Sequence, residues 1–316
     1  MGLHRMLVQV TWVCVILSEM AAAAIPFPLA LPNCTDRCGD VEIPYPFGLT
    51  EGCYLKETGD FYVNCTGESA GQPQPLIRDV VVTNISIQGQ IDIMMYKAFD
   101  CYNKCATGLK NYKHSSLSAA SFTVSDSQNK FVAVGCDTYS YLNGDKNGEL
   151  FSIGCLSVCQ NISNVPNGTC SGIGCCQMDI PQGLKNVSVS TYSFNNHTNV
   201  SSFNPCSFAF IIREDLFNFS SNYLSSLQNN KTFPMVFDWA IGTETCEDAR
   251  KNKSAYRCGG NSTCHNSING SGYRCNCTDG YRGNPYLKHG CQGIQFYFHI
   301  STTIFQGKKR KRFLNK

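Results

Sequence analysis

Three groups of residues in this 316-residue chain have the types and spacing to do chemistry. The first is "GESAG", Gly67 to Gly71, with the G-x-S-x-G spacing of a nucleophile elbow. That elbow exposes its serine on a tight turn between a strand and a helix. Here "QPQP" follows, which does not open a helix cleanly, so no catalytic serine is expected. The second group is histidine and cysteine. His114, His197, His265, His289 and His299 show no H-E-x-x-H and no paired spacing. Cys34/Cys38, Cys101/Cys105 and Cys155/Cys159 are C-x3-C pairs, a spacing compatible with zinc. The third group lies in "YKAFDCYNKCATGLKNYKH", where Lys97, Lys104, Lys110, Lys113 and His114 interleave with Tyr96, Tyr102 and Tyr112. Lysines supply charge for an anion, and tyrosines supply flat faces for a ring. The plainer reading of the same residues is a solvated basic loop with core tyrosines. The expectation is a binding protein and not an enzyme, with no cofactor and no metal.

The compartment decides what the cysteines do. Met1 to Ala24 has a basic start (His4, Arg5), an apolar stretch from Met6 to Leu17, and small residues at Ala22 to Ala24. This is the pattern of a secretory signal peptide, 1–24. The apolar stretch of 12 residues is short of the roughly 20 that a membrane span needs. Of 20 cysteines, only Cys14 lies in that leader, and the other nineteen read as a disulfide framework in an oxidising compartment. Nineteen is odd, and Cys105 is expected to be free or to bridge two chains. The neighbours Cys175 and Cys176 are expected to have separate partners, because consecutive Cα atoms lie about 3.8 Å apart and a disulfide prefers about 5.5 Å. Fourteen N-x-S/T sequons agree with secretion. The expected glycan acceptors are Asn84, Asn161, Asn167, Asn186, Asn196, Asn218, Asn230, Asn252, Asn261 and Asn269. At Asn33, Asn64 and Asn276 a cysteine occupies the middle position and crowds the acceptor.

The formal net charge is +3, but six basic residues lie after Gly307, and without them the balance is −3. A folded part so mildly acidic has no bulk field for nucleic acid, and any polyanion site must be a local cluster.

The cysteines divide the mature chain, thirteen from Cys34 to Cys206 and six from Cys246 to Cys291. Six cysteines alone allow fifteen pairings. The second group, with "GYRCNCTDGYRGNPY", resembles an epidermal-growth-factor-like (EGF-like) module over 242–292. The resemblance implies Cys246–Cys264, Cys258–Cys275 and Cys277–Cys291. A module this small depends on its bridges rather than on a core. Ahead of Cys246 only Glu244 is acidic, too few oxygen ligands for calcium.

The first region, 31–241, is rich in β-branched and aromatic residues, as in "LIRDVVVTNISIQGQIDIMM", "KFVAVGCDTYSYL", "SFAFIIRE" and "FPMVFDWAI", separated by Gly, Asn, Asp and Ser clusters. "SSNYLSSLQ" is the best candidate for a short helix, and "IPYPFG" is expected to run extended into a turn at Gly48. The fold class is therefore mainly β and disulfide-rich: a cysteine-rich N-terminal domain followed by the small EGF-like module.

"CTDRCGDVEIPYPFGLTEGCY", "VAVGCDTYSYL", "GTCSGIGCCQMDIPQGLKNVSV", "FNPCSFAFI" and "FPMVFDWAIGTETC" resemble the ectodomain of plant wall-associated receptor kinases. That resemblance implies a secreted, wall-facing galacturonan-binding domain whose partner is cell-wall pectin, the polygalacturonate. Binding a polymer with a carboxylate on each sugar needs spaced cations beside aromatic faces. The expected polysaccharide-binding residues are Lys97, Lys104, Lys110 and Lys113, with Arg78 joining if the strands align. A second cluster, Arg250, Lys251, Lys253 and Arg257, has Glu247 and Asp248 beside it. The alternative is a receptor-like or decoy module that binds a peptide or co-receptor and keeps only a vestigial glycan site. The kinase motifs are missing from these residues, as is a second EGF-like repeat, so the expectation is the ectodomain without its kinase.

The chain closes on "GIQFYFHISTTIFQGKKRKRFLNK". Its apolar run would reach about 18 Å as a helix against a hydrocarbon core of about 30 Å. Residues 293–316 are read as a disordered basic tail on a truncated product, with family resemblance the only reason to expect membrane association.

Overall fold

The computed structural model describes residues 27–56, 60–67, 71–102, 113–118, 121–146 and 148–293. The leader, Lys104, Cys105, Lys110 and the tail beyond Gly293 lie outside the described residues. A short hairpin comes first, β1 (Arg37–Cys38) with β2 (Val41–Glu42). Then follow β3 (Asn64–Thr66), β4 (Gln74–Ile77), β5 (Val80–Ser86), β6 (Gln90–Tyr96), β7 (Ala98–Cys101), β8 (His114–Leu117), β9 (Thr123–Val124) and β10 (Asn129–Val134). The series continues with β11 (Asp137–Lys146), β12 (Glu149–Val158), β13 (Cys175–Asp179), β14 (Lys185–Tyr192), β15 (Cys206–Arg213) and β16 (Thr232–Asp238). They make three antiparallel sheets with strand orders β3-β4-β5-β6-β16-β9, β13-β10-β15-β7 and β12-β11-β14-β8. The short helix expected near Asn222 is Tyr223–Ser226.

The hydrophobic pattern explains how the sheets stack. "KFVAV" and "SFAFII" are continuous apolar runs, which suits strands covered on both faces. Phe131, Ala133, Ala209 and Ile211 enter the larger core. Val132, Val134, Phe208, Phe210 and Ile212 enter a second core with Phe219, Leu224 and Phe233. By contrast β11 alternates: Thr138, Ser140 and Leu142 are buried, while Tyr139 and Tyr141 point outward. Period-2 alternation is what one covered face and one open face require.

Nine disulfides use all the described cysteines: Cys34–Cys53, Cys38–Cys65, Cys101–Cys206, Cys136–Cys159, Cys155–Cys176, Cys170–Cys175, Cys246–Cys264, Cys258–Cys275 and Cys277–Cys291. The last three are the pairs implied by the EGF-like resemblance. Cys175 and Cys176 take separate partners, as their Cα spacing demands. "IPYPFG" departs from expectation. The chain turns at Tyr45–Pro46, whose peptide bond is cis, before Gly48 bridges Tyr62.

The EGF-like module contains a helix, Cys246–Lys251, whose Thr245 Oγ accepts the Asp248 N–H at 3.2 Å. Two hairpins follow, β17 (Ser262–Asn266) with β18 (Tyr273–Cys277), and β19 (Tyr281–Arg282) with β20 (Gln292–Gly293). The module does not stand apart from the N-terminal domain. Cys246, Ala249, Tyr273, Cys275 and Tyr286 lie in the same core cluster as Phe47, Phe61 and Trp239. Trp239 donates through Nε1 to the Ser86 and Gln90 carbonyls and packs on Tyr286 at 5.4 Å. Asn284 Nδ2 donates to the Leu29 and Tyr45 carbonyls at 2.7 Å each. Arg274 donates to the Gln88 carbonyl at 2.9 Å and crosses Gly89, where a Cβ would fall 2.2 Å from its Cδ.

Candidate functional site

The outer face of the β12-β11-β14-β8 sheet carries a row of rings. Tyr139 pairs with Tyr192 across β11 and β14, and the rings stack at 5.3 Å with 21° between planes. Such cross-strand aromatic pairs are worth up to about 1 kcal/mol to the sheet. Phe194 lies 4.8 Å from Tyr139, Tyr141 lies 6.1 Å from it, and His114 on β8 meets Tyr192 at 5.7 Å. Tyr141 faces Gly154 on β12, where a Cβ would come 3.3 Å from the ring, so the absent side chain leaves the ring room to lie flat. Tyr141 and Phe194 remain 43% and 49% exposed. Polar groups sit among the rings. His114 Nδ1 is 2.9 Å from Ser190 Oγ, and the Tyr192 hydroxyl is 3.3 Å from His114 Nε2.

The support beneath is polar and buried. Asp100 accepts the Ser193 N–H at 3.2 Å, and Asp137 accepts the N–H groups of Asn195 and His197 at 3.0 and 2.9 Å. These two carboxylates fix the loop that presents Phe194. His197 is fully buried and adopts φ of 59°. Burial pushes its imidazole below the ordinary histidine value, with Asp100 and Asp137 opposing. Thr138, Ser140 and Thr191 satisfy one another under β11, with Ser140 donating to Thr191 at 2.8 Å.

The residues expected from sequence fare differently. Lys113 reaches this face: its Nζ lies 5.5 Å over the Tyr192 ring, paired with Asp100 at 3.1 Å. Arg78 pairs with Asp60 at 3.0 Å beside Ser118, past the far end of β8. Lys97 is a correction. It is 5% exposed, donates to the Leu227 carbonyl, and lies 4.7 Å over the Phe208 ring. A lysine so buried is closed to a polymer, and desolvation lowers its pKa to about 8. Asn269 is a second correction. Its Nδ2 donates to the Val124 carbonyl at 2.9 Å and to Asp238 at 2.8 Å, in a side chain inside the module junction. The other nine expected acceptors are exposed. The "GESAG" motif is followed by strand β4 and not by a helix. Each described C-x3-C cysteine is disulfide-bonded to a partner outside its pair.

Sequence reasoning passed over Tyr139, Tyr141, Tyr192 and Phe194. The signal was present: "TYSY" and "TYSF" each place two rings at i and i+2, on one face of a strand.

These features define a disulfide-stabilised, mainly β protein with a small three-bridge C-terminal module and an outward aromatic face. The comparisons refine the class. Residues 34–96 match the family described as wall-associated receptor kinase galacturonan-binding, and residues 167–247 match the wall-associated kinase family. Wall-associated receptor kinase 2 of Arabidopsis thaliana is 39% identical over 265 residues, 83% of this chain and 34% of that protein. Wall-associated receptor kinases 5 and 1 of the same plant are 37% and 36% identical over 267 residues, again 83% of this chain and 34% of each relative. The chain carries both wall-associated receptor kinase domain matches and resembles the ectodomain of that family. It spans about a third of the length of these relatives. No solved structure matches it significantly. Among the described residues no helix is long and apolar enough to cross a membrane.

Proposed function

We propose that this ectodomain binds a wall polysaccharide, de-esterified pectin above all, by reversible contact and without catalysis. The observation that carries the reading is the outward row of Tyr139, Tyr141, Tyr192 and Phe194, exposed at Tyr141 and Phe194, with His114 and Lys113 at its edge. Flat rings suit the apolar faces of pyranose sugars, and the interleaved hydroxyls and imidazole suit sugar hydroxyls. The match to a galacturonan-binding family over residues 34–96 supports the choice of polymer. The test is calorimetric titration of the purified chain with defined oligogalacturonides. Wild type binds, and Tyr139→Ala with Tyr192→Ala weakens binding at least tenfold while circular dichroism stays unchanged. Wild type that binds no oligogalacturonide overturns the reading.

A second reading has its own observation. Edge strand β12 exposes Leu150 at 90%, with Leu156 and Val158 also outward, an apolar row that fits a peptide or co-receptor. Salt separates the two. A carboxylate polymer held by cations is released by moderate salt, whereas an apolar protein contact persists.

A further inference from the structure

Away from the aromatic face, the β13-β10-β15-β7 sheet borders a cleft of about 150 Å3. Lys130 of β10, Gln177 of β13 and Gly168 line it, with Glu214, Phe217 and Asn218 from the segment after β15. Asn218 is the acceptor of a sequon, Asn218-Phe219-Ser220, and is exposed. Other sequon asparagines use their Nδ2 within the fold: Asn269 donates to Val124 and Asp238, Asn84 to Asp92, and Asn261 to the Cys291 carbonyl. Among the described residues Asn218 makes no such side-chain bond.

The cleft is rigidly framed. Phe217 packs edge-on against Phe210 at 5.7 Å, and the next residue but one, Phe219, is buried in the second core. The Gly168 N–H donates to the Phe219 carbonyl at 2.9 Å, and Asn167 Oδ1 accepts the Ser221 N–H at 2.7 Å. These bonds tie the two flanking segments together beside Asn218. The Glu214 N–H donates to the Gln128 carbonyl at 2.9 Å. The chemistry of the lining suits a neutral, hydroxyl-rich occupant. Lys130 is matched by Asp179 at 2.6 Å and by Glu214 at 3.4 Å, so it holds no surplus charge for an anion. Gln177 and Glu214 offer hydrogen-bonding groups, and Phe217 offers a ring. The volume is about five times the roughly 30 Å3 that a water takes in the liquid, which is room for one sugar and not for a length of polymer.

We propose that this cleft seats the first N-acetylglucosamine of a glycan carried by Asn218, with the acetamide N–H donated to the Glu214 carboxylate and the ring against Phe217. In the transfer, made by the secretory pathway, Asn218 Nδ2 gives up one hydrogen and bonds to the anomeric carbon of the glycan donor. The donor's lipid diphosphate leaves with the proton. A tethered sugar has a high effective concentration at the cleft, so modest contacts hold it. The inference goes beyond the polysaccharide reading and does not depend on it.

The experiment uses the whole chain secreted from plant cells, with thermal unfolding of wild type, Asn218→Gln, Ser220→Ala and Asn167→Gln. Wild type is also trimmed by an endoglycosidase that leaves a single N-acetylglucosamine on each acceptor. Ser220→Ala removes the sequon but keeps Asn218. The expected result is a Tm lowered by about 3 °C or more in Asn218→Gln and Ser220→Ala alike. Trimmed wild type and Asn167→Gln should stay within about 1 °C of intact wild type. Glycopeptide mass spectrometry that finds Asn218 bare in wild type overturns the proposal. So do unchanged melting in both Asn218→Gln and Ser220→Ala, a loss in Asn218→Gln that Ser220→Ala does not share, and a loss on trimming to the single sugar.

Discussion

At the scale of single residues, burial separates cations that reach solvent from cations that build the fold. Lys97 sits between Phe208 and the Leu227 carbonyl, so Lys97→Met should leave oligogalacturonide affinity within about twofold, the loss of a buried charge being a matter of stability. Its pKa is about 8 in the fold against an ordinary 10.5. Between those values the unfolded chain binds a proton that the folded chain does not, so this residue makes stability rise with pH across that window. Urea midpoints from pH 8 to pH 10 should show that slope in wild type and lose it in Lys97→Met. The same logic applies to Asn269. An amide that already donates two hydrogen bonds inside the junction presents no acceptor to a glycosyltransferase once folded. Glycopeptide mass spectrometry should find Asn269 bare, and a glycan there would show that the sugar is added before the module docks.

At the scale of elements, β11 and β14 are the strands that make the aromatic face. Their outward positions take rings because the inward positions are satisfied by Thr138, Ser140, Leu142 and Thr191. Gly154 on β12 is the neighbour that gives Tyr141 its room. Gly154→Val adds a side chain well suited to a strand, so stability should change by no more than about 1 kcal/mol. The same change displaces the Tyr141 ring and should weaken glycan binding several-fold. Equal affinity in this variant would mean that Tyr141 lies outside the footprint.

At the scale of the whole molecule, the two modules share one core, and Trp239 is its hinge pin. The indole closes one module with two hydrogen bonds and packs its ring on Tyr286 of the other. With disulfides intact, calorimetry should show a single unfolding transition. Trp239→Ala removes about 3–5 kcal/mol of packing and should split it into two. A wild-type protein with two transitions would mean that the junction is weaker than its hydrogen bonds imply.

The sequence by itself determined the class. The six-cysteine spacing and the β-branched runs depend on neighbours in the chain, and the structure returns them as three bridges in a small module and as the strands of three sheets. It also held the aromatic face, as Tyr-x-Tyr and Tyr-x-Phe, without saying which side of the strand was open. Which lysines reach solvent and which sequon asparagine is buried were decided only by the tertiary structure. The reason is physical: exposure and pairing depend on contacts between residues far apart in sequence. Lys97 and Leu227, like Asn269 and Val124, meet only when strands from distant parts of the chain pack together.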